Sequence, residues 1–196
     1  MSSVHGGTIG RWFEELCRIK HVQLLEVVSK NHESLKPNSL PKASGIYAFW
    51  WTGSPELLSQ RNRQIVLKGP GERPVELLFD DEWLGTEAGY PIPLYVGKTA
   101  KGINKRIGLH LRLKEKRALP LGEKAEKAKA PTTSCQLRAG VEHFFQTEED
   151  TRTLILENVG LSYVLLDGDE HAANRFYLED LAIGLMRPPL NVDIER

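Results

Sequence analysis

Two periods organise the apolar positions of this chain. Ser44–Trp51 (SGIYAFWW), Leu94–Gly97 (LYVG) and Leu161–Leu166 (LSYVLL) are short, rich in β-branched and aromatic residues, and bounded by glycine, proline or Asp167-Gly168, which predicts strands. Gln64–Lys68 and Val75–Phe79, joined by a Gly/Pro turn, read as two more. Elsewhere the apolar residues recur three and four apart. Trp12, Phe13, Leu16, Cys17, Leu24, Leu25 and Val28 predict one amphipathic helix, or two short ones, within Ile9–Lys30. Ser54-Pro55-Glu56 is a helix start and predicts a short helix to about Gln60. Ile103, Ile107 and Leu111 place a helix over Ile103–Ala118, Ser134–Phe145 reads as another, and Glu170–Met186 reads as a long helix stopped by Pro188-Pro189. Asn31–Ala43, the acidic Asp80–Pro91 and the Lys/Ala-rich Pro120–Thr133 are connectors, and no internal repeat is visible.

Strands and helices mixed in this order indicate an α+β protein, and 196 residues suffice for a single domain with a substantial core, spanning 1–196. Composition changes little: 40% hydrophobic and 27% charged residues are ordinary for a globular chain. Cys17 and Cys135 are too few for a disulfide framework or a zinc site. No apolar run approaches a membrane span and no secretory pattern opens the chain, so a cytoplasmic protein without membrane contact is expected.

Charge is more informative. The net charge is zero, but Lys98–Lys129 holds eleven Lys or Arg against three Glu, a local surplus of eight positive charges. The run begins at Lys98, directly after a strand, with no acidic neighbour in sequence. Glu179 falls within the apolar stripe Ala172, Phe176, Ile183 and Met186 of the last helix, where a carboxylate needs a cation, a hydrogen-bond set or a metal. Arg106 and His110, four apart, border the buried stripe of their own helix. Tyr47 and Tyr95 lie inside strands and need partners for their hydroxyls. Strand alternation puts Ile46, Ala48 and Trp50 on one face and Tyr47 with Phe49 on the other.

Gly45-Ile46-Tyr47, Tyr95-Val96-Gly97, Arg106, His110, Glu179 and Pro188-Pro189-Leu190-Asn191 resemble, in order, the motifs of the GIY-YIG nuclease superfamily. The likeness covers Ser44–Asn191 and leaves 1–43 as an N-terminal helical extension. Insertions at about 52–92 and 119–160, a separation of 48 positions between the two tyrosines, and histidine rather than tyrosine four after the arginine are more similar to the type II restriction endonuclease branch than to the excision-repair branch.

The resemblance implies a small central antiparallel three-stranded sheet flanked by helices, and a divalent-metal-dependent DNA endonuclease using Mg²⁺, with Mn²⁺ as a substitute. Tyr47 and Tyr95 would be the active-site tyrosines, Arg106 the phosphate-binding arginine, His110 the proton-relay partner, Glu179 the metal ligand and Asn191 the residue ordering the site. Mg²⁺ takes few protein carboxylates and keeps water in its other positions, and an arginine fork matches phosphate oxygens. Tyrosine, with a pKa near ~10, is a poor base unless a cation or His110 favours the phenolate; the general base is either Tyr47 or His110. Lys98, Lys101, Lys105, Arg112 and Lys114 are expected to track the backbone of double-stranded DNA. A cutter of palindromic sites would act as a homodimer. A structure-specific repair nuclease and a non-catalytic nucleic-acid-binding module are the alternatives. His5, His21, His32, His143 and His171 show no ligand-like spacing, and Trp50, Trp51 and Trp83 read as packing residues.

Overall fold

All seven residues of β2 (Gly45–Trp51) are buried, because this strand has neighbours along both edges and on both faces. The computed structural model describes residues 8–18, 21–68, 74–79, 91–113, 136–146, 148 and 150–191. β2 pairs antiparallel with β5 (Ile92–Thr99) on one side and β6 (Val159–Leu165) on the other. A two-residue strand, β1 (Val22–Gln23), pairs with β6, giving a four-stranded antiparallel sheet of order β1-β6-β2-β5. The expected three strands are therefore joined by a fourth. Two residues are too few for any periodicity to announce them, and they lie between α1 (Thr8–Arg18) and a single turn, α2 (Leu24–Val27), so of the two N-terminal readings it is the pair of short helices that forms.

The alternation along β2 divides the core as the sequence pattern implies. Ile46, Ala48 and Trp50 join Leu16 of α1, Val96, Val164, and Leu178 and Ala182 of α7 (Ala172–Met186). Tyr47, Phe49 and Trp51 join Tyr95, Ile103, Ile107 and Leu111 of α4 (Ile103–Leu111), and residues of α5 (Gln136–Phe144) and α6 (Thr151–Asn158). The sheet is thus a middle layer with helices on both faces. Between β2 and β5 run α3 (Pro55–Ser59), capped by Ser54 Oγ accepting from the Leu57 N–H at 3.1 Å, and a separate antiparallel pair, β3 (Gln64–Lys68) with β4 (Pro74–Leu78). No helix among the described residues is long and apolar enough to cross a membrane.

Three further differences have local causes. α4 ends at Leu111 because Arg112 turns left-handed at φ 43°, so the expected continuation to Ala118 is not followed at its first step. α6 was hidden by a weak pattern, its buried residues being Thr151, Ile155 and Leu156, although Asp150 caps it by accepting from the Thr153 N–H at 3.1 Å. α7 buries Arg175, Leu178, Glu179 and Ala182; of the expected stripe, Glu179 is buried and Ile183 and Met186 pack partly buried against the core, but Ala172 is exposed and Phe176 is 42% exposed. The rotation is set by Arg175, whose guanidinium donates to the carbonyls of Leu166 and Gly168 where β6 runs out. Lys114, Cys135, Trp83 and the Pro120–Thr133 connector lie outside the described residues.

Two glycines have side-chain-free positions for steric reasons. Gly97 is the cross-strand partner of Tyr47, and a Cβ there would stand 2.5 Å from Tyr47 Oη and 2.9 Å from Tyr95 Cε1. Gly45 faces the Val164 carbonyl, which a Cβ would strike. Gly97→Ala is expected to cost about 1–3 kcal/mol in urea denaturation, because neither phenol has room to retreat within the core. Gly108→Ala, whose nearest neighbour would be Leu35 Cδ1 at 3.6 Å, is expected to be neutral or stabilising by up to about 1 kcal/mol. Equal midpoints for the two variants would contradict this packing.

Candidate active site

The open edge of the sheet is β5, and the candidate residues gather around it. Its outward backbone groups need partners. The Val96 N–H donates to Asn191 Oδ1 and the Val96 carbonyl accepts from Asn191 Nδ2, both at 2.7 Å, so this side chain closes a ring on β5 as another strand would. One residue earlier, the Leu190 N–H donates to the Leu94 carbonyl at 3.0 Å. Two residues along β5, the Lys98 N–H donates to Glu179 Oε1 at 3.1 Å. The segment carrying Asn191 reaches β5 because α7 stops sharply: Arg187 is left-handed at φ 49°, and Pro188 and Pro189 prevent continuation.

On the face of the sheet that looks toward α4 stand the two phenols, Tyr47 on β2 and Tyr95 on β5. Tyr47 Oη lies 2.7 Å from His110 Nε2 and accepts from Arg106 Nε at 3.1 Å. The Tyr47 and Tyr95 ring centroids are 6.2 Å apart, and those of Tyr95 and His110 are 4.9 Å apart. The four-residue spacing in α4 aims Arg106 and His110 at the same phenol. Tyr47 and His110 have no exposed surface, Tyr95 retains 5%, and Arg106 is half-buried. The arrangement is therefore layered, with the Tyr47–His110 pair beneath Tyr95 and Arg106.

Burial dominates the protonation states. It pushes the Tyr47 phenol well above its ordinary value, reinforced by Tyr95 and opposed by Arg106. Burial also raises Tyr95; Arg106 pulls it back, and the charge of Glu179 adds to the rise. Burial, and then the charge of Arg106, hold His110 well below the usual imidazole range. Both phenols are accordingly protonated and His110 is neutral at neutral pH. His110 Nδ1 is buried without a hydrogen-bond partner among the described residues. If the Tyr47 hydroxyl donates to Nε2, the imidazole can take the phenol's proton; if Nε2–H donates, the phenol oxygen accepts from both His110 and Arg106.

Glu179 completes the set from the edge. It is 4% exposed, and Lys98 Nζ forms an ion pair with its Oε2 while also standing 5.1 Å over the Phe176 ring. Lys98 therefore has an acidic partner after all, 81 positions away and invisible to any local reading. Among the described residues, no group of three or more His, Cys, Asp or Glu forms a ready metal cage. A cation with one protein carboxylate and otherwise water or phosphate oxygens, as Mg²⁺ prefers, is compatible with Glu179. Its charge raises both phenols, so the carboxylate is within electrostatic reach of them.

Of the basic track, Lys101 and Lys105 are exposed at the start of α4, Arg112 is partly buried beyond its end with its carbonyl accepting from Arg138, and Lys114 is outside the described residues. Sequence reasoning missed the Lys98–Glu179 pair and the placement of Phe176 beside it. No protein-family profile, no curated protein and no solved structure matches this chain.

Neutral, buried His110 has a consequence for stability. The unfolded chain protonates this side chain below about pH 6.5 while the folded protein resists it, so the unfolded state binds more protons and stability falls as pH drops through that value. His110→Gln should reduce the slope of unfolding free energy between about pH 6.5 and 5 by up to about 1.4 kcal/mol per pH unit, measured by urea denaturation. Identical slopes for parent and variant would mean that His110 titrates normally in the fold.

Proposed function

We propose that this protein is a divalent-metal-dependent DNA endonuclease of the GIY-YIG type, acting on double-stranded DNA as a sequence-specific restriction enzyme and binding it as a homodimer. The observation that carries this reading is that Arg106 and His110 meet the Tyr47 hydroxyl beside Tyr95 on one face of the sheet, while Asn191 and Glu179 bond the outer edge of the neighbouring strand β5, from places dispersed over 145 positions of sequence.

Each residue has work in phosphodiester hydrolysis. Arg106, hydrogen-bonded to both phenols, would meet non-bridging phosphate oxygens with its planar guanidinium. Tyr95, the more accessible phenol, orients the attacking water. Tyr47, with His110 behind it, receives the proton through the hydrogen-bonded phenols, and His110 is the neutral base to which it can pass. A cation bound at Glu179 would supply charge that favours phenolate and stabilises the leaving oxygen. Asn191 holds Val96, and with it the adjoining Tyr95 and Gly97, in register. Lys101 and Lys105 continue the positive surface along which backbone phosphates would lie.

One observation favours a second reading, a nucleic-acid-binding module without catalysis: Glu179 is already neutralised by Lys98 and has a structural duty toward β5. Purified protein with Mg²⁺ on plasmid and phage DNA separates the two, discrete fragments being expected for the endonuclease. Glu179→Gln keeps an acceptor for the Lys98 N–H but removes the charge, so it should abolish cleavage while retaining DNA binding and fold. Arg106→Lys should lower turnover by about 10²-fold or more, since a point charge does not replace the fork. DNA binding without cleavage by the parent, unaffected by Glu179→Gln, would establish the module instead.

A further inference from the structure

Two of the bonds that Glu179 makes run to one residue, Lys98. Its Oε1 accepts from the Lys98 backbone N–H at 3.1 Å, which ties it to the strand, whereas Oε2 meets the mobile end of the same residue, Nζ. The two partners differ in freedom. The Glu179 side chain is 5% exposed, but that of Lys98 is 28% exposed, and its head rests at the solvent border over Phe176, itself 42% exposed. Lys98 can leave while the carboxylate stays oriented by the backbone.

We propose that Lys98 is the resting counterion of Glu179, and that a divalent cation and the Lys98 ammonium occupy Oε2 in turn, never together. This rests on the metal-ligand role of Glu179 proposed above. An ammonium bonded at Oε2 occupies the space a cation needs and cancels the charge that would attract it. When the ammonium swings outward, Oε2 is presented to the cation by a carboxylate whose other oxygen is still held by the Lys98 N–H. The released ammonium, on a side chain already 28% exposed, is then free to meet a phosphate oxygen in solvent. Lys98 is thus a positioning residue that links loading of the cation to arrival of a polyanion. The ring of Phe176 serves as the rest for the ammonium in the paired state.

The experiment is Mn²⁺ titration of the full chain without DNA, followed by the electron paramagnetic resonance of the free ion. Lys98→Met should bind Mn²⁺ about tenfold or more tightly than the parent, because the competing charge is gone. Adding Glu179→Gln to that variant should remove the gain. Lys98→Gln, which keeps a polar head without charge, provides a second variant should Lys98→Met fail to fold by circular dichroism. In the parent, the ¹⁵N-detected Lys98 ammonium should lose its coupling to Glu179 as Mg²⁺ is added. Equal Mn²⁺ affinity in parent and both Lys98 variants, with Glu179→Gln weakening all, would overturn the exchange and leave Glu179 as the metal ligand. Mn²⁺ binding that is indifferent to Glu179→Gln in every background would overturn both.

Discussion

The outer edge of β5 is the constraint on which the site depends. An antiparallel sheet that ends in a buried strand must satisfy that strand's outward N–H and C=O groups or lose stability at each. Among the described residues no further strand does so. Leu190 and Asn191 bond Leu94 and Val96, and Glu179 bonds Lys98, so residues from α7 and from the turn after it replace a neighbouring strand. The side chains that seal the edge are the ones with a proposed chemical role. A carboxylate brought to a strand edge for structural reasons is also brought within electrostatic reach of the phenols on the adjoining face.

The buried side of the same strand imposes the complementary condition. Tyr47 fits only because Gly97 opposite has no side chain, and its hydroxyl is acceptable there only because Arg106 and His110 reach it from α4. Low exposure keeps the phenols protonated and the imidazole neutral, so the resting cluster holds its charge on Arg106 and on the Lys98–Glu179 pair. Chemistry would begin when a phosphate and a cation alter that balance.

Much of the frame was legible because its periodicities are strong. β2 alternates faces along its whole length and α7 is long and ends in two prolines, so their places, and the candidate residues on them, followed from local pattern. β1, with two residues, and α6, with its weakly patterned buried set, carried too little signal. The error in the α7 face has a similar origin. Phe176 reads as core by type, but its ring lies beside the Lys98 ammonium, while the buried position went to Arg175, a charged residue that earns it by closing two carbonyls at the end of β6. Lys98 and Glu179 could not be paired from sequence spacing because the contact is made by the docking of α7 against β5.

In the proposed function a nucleic-acid backbone enters at Arg106 above the phenols. The ¹H–¹⁵N resonance of Arg106 Nε, observed while a mixed-sequence duplex is added at low salt in the absence of divalent metal, tests it directly. A large shift at Arg106, accompanied by shifts at Lys101 and Lys105, is the predicted result. Saturation of the protein with duplex while Arg106 Nε remains unmoved would contradict it.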